Sequence, residues 1–297
     1  MKKVLKWIGI ILGGLVGLLV LAGVVLYILG SVRLNKTHDI QAETIAIPSD
    51  DVALARGEHL VEAVTFCKEC HGENLGGDIF DDEPGIATIS ASNLTSGQGG
   101  VGAIYSDADW VRAIRHGVNP EGRGLLIMHS DLYHNLSEQD LGSIIAYVKS
   151  VPPVDNELPE TEAKTLGKVL VALGVFDTEA IPLIPAEEID HSAPFAKMPN
   201  QGPTAEYGGY LMSITLCRMC HGSDLTGGVP LEEGMPPGPD ITPDGRLSGV
   251  SEQAFIDLFR TRGMTESEVM PWDVYNEMTD DELKALWMYL QSLPPQE

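Results

Sequence analysis

With 297 residues, the chain has room for about two domains, and its 6% aromatic content, 32 glycines and 19 prolines suit small domains rich in loops. A formal net charge of −24 excludes nucleic-acid binding, because contacts with phosphate need a basic surface. The acidic surface is expected to steer basic partners toward the chain and to repel acidic ones, although the same charge would also serve solubility alone.

The first element is a predicted single transmembrane helix at residues 7–30. The run from Trp7 to Leu29 is apolar, and at about 1.5 Å per helical residue it can cross a hydrocarbon core of roughly 30 Å. Three lysines precede it, so residues 1–6 are expected in the cytoplasm and the remainder of the chain on the outer face. The run is longer than the apolar region of a signal peptide and ends in a poor cleavage sequence. We therefore expect an uncleaved anchor rather than a removed signal.

Residues 31–50 are predicted to be a tether, and residues 51–66 a helix that leads into Cys67-Lys68-Glu69-Cys70-His71. A second copy of the motif, Cys217-Arg218-Met219-Cys220-His221, follows a shorter predicted helix at 206–216. This spacing is typical of c-type haem attachment, in which two cysteines form thioethers and the histidine ligates the iron. The motifs use all four cysteines, so we expect two covalently attached haem c groups. A redox dithiol is the alternative for one motif, but it does not need the histidine. A paired zinc site is the alternative for both, but about 150 residues separate the copies.

The two motifs belong to an internal repeat. Each is followed by a glycine-rich loop and then by Asn93-Leu94-Thr95 or Asp240-Ile241-Thr242. The closing segments align without a gap from Met128 to Pro153 and from Met270 to Pro295. Ser137 and Thr279 are predicted to cap the last helix of each copy, with an acid three residues later to complete a capping box. The repeat predicts two domains, at 51–153 and 205–297, each with a helix before the haem, loops over it and a helix behind.

Residues 154–204 fit neither repeat and are predicted to form a bridge that packs the two domains together. They contain an apolar helix candidate at 164–175 and a proline-rich stretch at 181–203. His191 lies in this stretch, outside both repeats, and is not expected to be a haem ligand.

Met128 and Met270 are the predicted second axial ligands, because they occupy the same repeat position in a loop just before the closing helix. Together with His71 and His221 they would complete both irons. The alternatives at the first site are three nearby histidines. None of them has a histidine counterpart in the second copy, so we expect them on the surface: His116, His129 and His134. The weaker rivals at the second site are Met264 and Met278, and Met278 aligns with Leu136, which indicates core.

Each axial histidine needs its other ring nitrogen held. The Gly238-Pro239-Asp240 turn is placed to offer a backbone carbonyl to His221, and Ala91-Ser92-Asn93 offers one to His71, without the rigidity of proline. Arginines at three positions lie where a cation could meet a haem propionate, although a solvated arginine is the alternative reading: Arg115 and Arg260 or Arg262.

On these motifs the chain resembles the class I cytochrome c family, in a tandem, membrane-anchored dihaem form. The resemblance covers about residues 51–153 and 205–297, and it departs from the family at Ser92, where proline is usual, at His129 and in the long bridge. It implies an all-α fold, haem attached on the periplasmic side of the cytoplasmic membrane, and outer-sphere electron transfer. The chain also looks like the haem-c subunits that serve membrane-bound dehydrogenases and respiratory chains in bacteria.

The leading hypothesis is therefore an electron carrier with no small-molecule substrate, which passes single electrons between redox proteins with a basic docking face. A cytochrome subunit fixed in a larger oxidoreductase complex is the first alternative. A dihaem peroxidase-type enzyme is the second, but it would need an exchangeable iron ligand, and both predicted sites have a methionine candidate.

Overall fold

The computed structural model describes residues 2–178, 181–228, 230, 235–262 and 269–294. Within these ranges the chain is mostly helical, as predicted. The α-helices, numbered in chain order, are α1 Lys2–Leu34, α2 Asp51–His59, α3 Cys67–His71, α4 Asp107–His116, α5 Ser130–Tyr133, α6 Glu138–Ser150, α7 Thr165–Ala172, α8 Ala205–Ile214, α9 Cys217–His221, α10 Glu252–Arg262, α11 Trp272–Tyr275 and α12 Asp280–Gln291. A π-helix covers Leu60–Val64, and 3₁₀ turns cover Val101–Ala103 and Pro185–Glu187. Pro295 and Met264 lie outside the described residues.

Helix α1 is continuous for 33 residues; its N-terminal part is free of the rest of the protein, and its C-terminal part packs on the bridge at Gly30 and Arg33. Its apolar side chains are exposed from end to end, and Gly30 is its one buried residue. It is long and apolar enough to cross a membrane, by length and composition. A helix of this kind near the N-terminus suits a membrane anchor or a signal sequence.

The two predicted repeats fold alike, with the first helix of each packed across the last. Helix α2 crosses α6 at Gly57, where an added Cβ would lie 2.0 Å from the carbonyl oxygen of Ser143. Helix α8 crosses α12 at Gly208, where an added Cβ would lie 1.9 Å from that of Ala285. Glycine at each crossing lets the two backbones touch, which positions the haem-motif helix that follows.

The first repeat carries one extra residue just before its cysteine motif. The segment from Gly57 to Thr65 is one residue longer than its counterpart from Gly208 to Thr215. The π-helix at Leu60–Val64 absorbs that residue, since a wider turn takes up an insertion without breaking the helix. As a result Thr65 and Thr215 reach equivalent places, each with its hydroxyl 3.2 Å from the sulfur of the first cysteine of its motif.

A small antiparallel sheet departs from the all-helical expectation. Strands β1 (Asp78–Glu83) and β2 (Ala87–Ala91) form a hairpin, and β3 (Glu162–Ala163), from the bridge, pairs with β2. The hairpin lies in the loop after the first haem motif. Its two strands are only partly alternating in polarity, and β1 is exposed along its whole length, so the sequence carries no clear strand signal.

The predicted tether and bridge both lie against the first domain. After α1 ends, the amide of His38 donates to the carbonyl of Gly122 at 2.7 Å, and the backbone at Ala46 packs against Gly142. The start of the bridge binds the Asn93 loop, since the Asn93 amide group donates to the carbonyl of Val154 at 2.7 Å. Its end pairs with the closing segment of the same domain through Ser137 and Ala196.

The two repeats meet through matching elements. Helix α5 of the first domain contacts α8 of the second, and α11 of the second contacts the π-helix of the first. Since α5 and α11 are repeat equivalents, as are the helices they touch, the contact is that of a pseudo-two-fold pair. Their apolar side chains form one continuous core.

Candidate functional site

Both Cys-x-x-Cys-His motifs form short helices, α3 and α9, that end in a buried histidine. The Nδ1 atom of His71 lies 2.8 Å from the carbonyl oxygen of Ser92, and that of His221 lies 2.7 Å from the carbonyl oxygen of Pro239. A carbonyl oxygen can only accept, so Nδ1 carries the proton and Nε2 keeps its lone pair. Burial lowers the pKa of both histidines, which favours the neutral, metal-binding form.

The four cysteines remain unpaired, and their surroundings are unlike those of a redox dithiol. Burial raises the pKa of Cys67 to about 11 and also raises the pKa of Cys70, Cys217 and Cys220. Thiol–disulfide enzymes instead lower the pKa of the attacking cysteine. Among the described residues, no cluster of three or more His, Cys, Asp or Glu side chains is arranged to hold a metal ion. Neither alternative to haem attachment is therefore supported.

The first domain contains a mainly apolar cavity next to its cysteine motif. Cys67, His71 and Met128 all line it, although 57 residues separate His71 from Met128. Apart from Thr65 and Ser92, the remaining lining is apolar or aromatic, with Tyr105, Trp110 and Leu125 among its members. A flat, largely apolar group with one metal atom fits such a space.

An unpartnered donor supports the same fit. The indole Nε1 of Trp110 is buried in the wall of this cavity without a hydrogen-bond partner. The indole Nε1 of Trp272, two residues after Met270 in the second domain, is also buried without a partner. Buried donors are almost always satisfied. A bound group that carries carboxylates, as haem does, would supply the missing acceptor, so the residues present fit a haem in each domain.

Met128 is held by strained backbone and by the bridge. Ile127, just before it, has φ = 60°, which is rare for a β-branched residue, and its amide donates to the carbonyl of Leu183 in the bridge at 3.0 Å. The carbonyl of Met128 accepts from the amide of Ser130 at 2.6 Å. The same turn recurs at Met270, whose carbonyl accepts from the amide of Trp272 at 2.8 Å.

Met270 is half-buried and packs against the same core as Cys217. Of its rivals, Met278 is 1% exposed and belongs to the core, as its alignment with Leu136 predicts, and Met264 lies outside the described residues.

The prediction that the three histidines near Met128 lie on the surface is wrong for His116, whereas His129 and His134 are half-buried. His116 is 1% exposed and buried between the tether and the bridge, with its ring bonded to Glu43 and His191. His134 stacks edge-on against His116, and burial lowers the pKa of His129 to about 4. Among the described residues that line the cavity, none is His116, His129 or His134. The residues that cover them lie far away in sequence, which is why the repeat alignment missed their burial.

The structure also gives Arg115 and Arg260 a different place from the one predicted. Arg115 is fully buried but does not line the cavity: its guanidinium binds Glu43, the carbonyls of His134 and Ala193, and the ring face of Phe195. Arg260 binds the carbonyls of Asn276 and Met278 and the carboxylate of Asp280. His134 and Asn276 are repeat equivalents, so both arginines clamp the loop after the methionine rather than reaching a propionate. The side chain of Arg262 lies outside the described residues.

A buried polar cluster between the domains was not predicted. Its centre is a pair of carboxylates at equivalent helix positions, Asp140 and Glu282. Arg56 binds Asp140 at 3.0 Å and Glu282 at 3.3 Å, and His59 Nε2 lies 2.7 Å from Glu282. Two tyrosines of the second domain complete the cluster. The hydroxyl of Tyr207 lies 3.2 Å from Glu282, and that of Tyr210 lies 2.8 Å from Asp140. The available sequence signal for this cluster was an acid at the third position of each closing helix, but these acids were interpreted only as parts of helix caps.

Comparison with known proteins agrees with this geometry. The model of the cytochrome c family matches residues 54–152 and 205–294. The chain is 25% identical over 280 residues to the cytochrome c subunit of alcohol dehydrogenase (quinone) from Gluconacetobacter polyoxogenes, across 84% of this chain and 58% of the relative. The counterpart from Komagataeibacter europaeus gives the same figures. The fructose dehydrogenase cytochrome subunit of Gluconobacter japonicus is 30% identical over 136 residues, which is 43% of this chain and 27% of that protein. The chain thus spans little more than half the length of the first two relatives.

Proposed function

The chain belongs to the cytochrome c family, and on that premise we propose that it is a membrane-anchored dihaem cytochrome that relays single electrons between redox proteins. One observation carries the proposal: the first cysteine of the motif, a histidine with its Nδ1 bonded to a carbonyl, and a methionine all meet at one apolar cavity in the first domain. The second domain repeats the cysteine pair and the histidine geometry.

In the proposed sites, Cys67 and Cys70 hold one haem c and Cys217 and Cys220 the other through thioethers. His71 and His221 ligate the irons through Nε2, while the carbonyls of Ser92 and Pro239 fix the two rings. Met128 and Met270 would supply the second protein ligand to each iron. Haem, when bound, supplies an iron that gains and loses one electron. The apolar lining keeps water from the metal and raises its reduction potential, as the thioether ligand does.

This ligand set favours an electron carrier over an enzyme, because an iron with protein ligands on both faces offers no position to a substrate. The two haems would use all four cysteines, and the described residues include no group of three or more His, Cys, Asp or Glu side chains that could hold a metal ion. A dihaem peroxidase would need one iron to lose its methionine.

The named relatives favour a second, compatible function, that of a cytochrome subunit in a dehydrogenase complex. Two are subunits of alcohol dehydrogenase (quinone) and one of fructose dehydrogenase. On this reading electrons enter from a dehydrogenase and leave toward the respiratory chain. Co-purification of the chain with a dehydrogenase in mild detergent would favour the fixed subunit, and a chain that purifies alone would favour the mobile carrier.

We propose that α1 anchors the chain, with residues 1–6 in the cytoplasm, 31–50 as a tether, 51–153 and 205–297 as periplasmic cytochrome domains, and 154–204 as the bridge. The lysines before the apolar run support this orientation. The net charge of −24 supports a basic docking face on the redox partner.

The experiment that tests the proposal is a spectroelectrochemical titration of the full chain in mild detergent, beside Met128→Ala and Met270→Ala. We expect two haems per chain that survive acid–acetone extraction. Each substitution should lower the potential of one haem and open that iron to cyanide, because a strong-field thioether has been removed. Met288→Ala, at a 40% exposed methionine, is the control and should leave both potentials in place. Extractable haem would refute the covalent sites, and unchanged spectra in both alanine variants would refute the axial assignments.

A further inference from the structure

The bridge helix α7 has an unusual distribution of apolar side chains. Gly167 and Val171, one turn apart, are buried toward the protein, and Gly167 sits against the backbone of Ile86 in the β1–β2 hairpin. Leu166 and Leu173 lie on another face, two turns apart, yet they are 50% and 57% exposed, and Val175 just beyond is 54% exposed. A helix that is apolar both toward the protein and away from it is expected in a core or in lipid, not in water.

The position of α7 relative to α1 distinguishes between a protein core and lipid. The backbones of the two helices touch, since a Cβ added to Gly30 would lie 1.8 Å from the carbonyl oxygen of Lys168. The ammonium of Lys168 stands 5.4 Å from the ring centre of Tyr27. Further along the anchor, Thr165 and Val169 of α7 line an open crevice whose opposite wall is formed by α1: Val20, Gly23, Val24 and Tyr27.

The depth of this contact follows from helix geometry. Trp7 and Tyr27 are about 20 residues apart, or roughly 30 Å along a helix, which is the thickness of a hydrocarbon core with aromatic residues at both boundaries. If Tyr27 marks the outer boundary, Val20 lies about 10 Å below it and Gly30 about 5 Å above it. An element that contacts α1 from Val20 to Gly30 therefore lies at the depth of an interfacial helix.

The positions of the charged residues around α7 fit the same depth in the membrane. Residues 169–176 contain no charged side chain. Lys168 precedes this run and can extend its ammonium upward to the headgroups, since a lysine stem is apolar. Asp177 follows it and pairs with Arg33, at the outer end of α1, at 2.5 Å. The chain thus returns to polar surroundings where α1 leaves the membrane.

We propose that α7 and the residues after it, 165–176, are a second membrane contact, seated in the outer leaflet beside the anchor. This inference rests on the proposed anchor but goes beyond it, because a single-pass anchor needs no other contact with lipid. The binding energy comes from apolar burial rather than from charge, since the neighbouring hairpin is acidic. The contact would hold the first haem domain against the bilayer in one orientation.

Spin labels test the proposal in the full chain reconstituted in lipid nanodiscs. The native cysteines are occupied in the proposed holoprotein, so Leu173→Cys provides one free thiol for a nitroxide, and unsubstituted protein is the blank. Val16→Cys, in the middle of α1, reports on the anchor itself. Ile104→Cys, at a 77% exposed apolar residue of the first domain, is the aqueous control. Val175→Cys is a second probe in case one label disturbs the helix.

The measurement compares relaxation of each label by oxygen, which concentrates in lipid, and by a water-soluble nickel chelate. We expect labels at 173 and 175 to be relaxed several-fold more by oxygen than by nickel, like the label at 16, and the label at 104 to show the opposite order. A water-like response at both 173 and 175 beside a lipid-like response at 16 would overturn the second contact while the anchor stands. A water-like response at 16 would overturn both the anchor and this inference.

Discussion

At the scale of single residues, the most consequential arrangement is the buried carboxylate pair between the domains. Asp140 is fully buried and Glu282 is 4% exposed, and ionised carboxylates in such places need partners. Arg56 supplies the cation for both, and it is itself mostly buried. Three side chains separated by long stretches of sequence therefore depend on one another, which makes each of them sensitive to substitution.

Arg56→Met should lower the free energy of unfolding by about 3 kcal/mol, because it leaves a buried carboxylate without its counter-charge. Urea unfolding of the full chain in detergent, followed by far-ultraviolet circular dichroism, measures the loss. Lys149→Met removes an exposed ion pair with Asp107 and should change the free energy by less than about 1 kcal/mol. Equal effects of the two substitutions would contradict a special role for Arg56.

Glu282 should make the protein lose stability in acid. Burial alone would raise its pKa, but hydrogen bonds from His59 and from the Thr279 amide, together with Arg56, lower it to about 2 from an ordinary 4.5. The folded state therefore binds its proton less readily than the unfolded chain. The stabilisation is complete above about pH 5 and is lost as the pH falls toward 2, by about 3 kcal/mol in all.

Glu282→Gln should flatten the dependence of unfolding free energy on pH between 5 and 3, because the titrating group has gone. Denaturant midpoints measured at several pH values give the slope directly. Asp281→Asn, at the exposed neighbouring residue, is the matched control and should keep the slope of the wild type. A slope that Glu282→Gln leaves unchanged would show that other groups cause the acid sensitivity.

Some of the residue-level interactions involve neighbouring sequence, and others join segments that are far apart in the chain. The carbonyl partners of the haem-motif histidines lie in the two turns predicted for them, 91–93 and 238–240, because a turn and its repeat copy were visible in the sequence. The burial of His116 and the partners of Arg115 were not, because Glu43, Ala193 and Phe195 come from the tether and bridge. Contacts between segments so far apart follow from the way the chain packs and leave no local pattern.

At the scale of elements, helix crossings matter more than helix propensities. Glycine is a poor helix former, yet Gly57 and Gly208 sit inside α2 and α8 because the partner backbone leaves no room for a Cβ. The helix caps depend more on the local sequence. Thr279 forms the complete capping box predicted for α12, whereas Asp140 turns to Arg56, so the Ser137 amide donates to the hydroxyl of Tyr210 instead.

Gly208→Ala should destabilise the second domain by about 1–3 kcal/mol, because the new methyl group would collide with the backbone of α12. Gly209→Ala is the matched control in the same helix, since its nearest neighbour is the side chain of Tyr289 at 3.1 Å, which can move aside. Thermal unfolding of both variants distinguishes them. Similar melting temperatures for the two would mean that the α8–α12 crossing tolerates separation.

Elements were predicted well where a motif or periodicity marks them. The anchor, the helices around each haem motif and the closing helices all occur close to their expected positions. The π-helix could not be foreseen, because an insertion of one residue does not reveal which turn will absorb it. The β1–β2 hairpin was missed because its strands lie over the surface and have no buried face to impose alternation.

At the scale of the whole molecule, the two domains form a pseudo-two-fold pair with one shared core and a polar centre. The sequence showed that the domains are copies but not how they meet. The faces in contact are the same faces in each copy, built from the helix before the haem motif and the short helix after the methionine. This brings the two haem-motif segments toward one interface, as an electron relay requires.

Long-range electrostatics should control how fast partners meet this molecule. With a net charge of −24, electron transfer with a basic soluble cytochrome should slow as salt rises from low to physiological ionic strength, because screening removes the steering. Stopped-flow absorbance gives the second-order rate constant at each salt concentration. An acidic partner of similar potential should show the opposite trend. A rate with the basic partner that is independent of salt would contradict a basic docking face.

The segment between the anchor and the first domain has a mechanical consequence. His38, Glu43 and Ala46 are each bound to the first domain, so in the proposed membrane topology no flexible linker would separate that domain from the bilayer. The first proposed haem site would then stay at a constant height above the bilayer, whereas a flexible linker would let that height vary. A membrane-bound donor or acceptor must therefore present its own cofactor at that height, and lengthening the linker beyond Ala46 would leave the geometry of encounter unchanged.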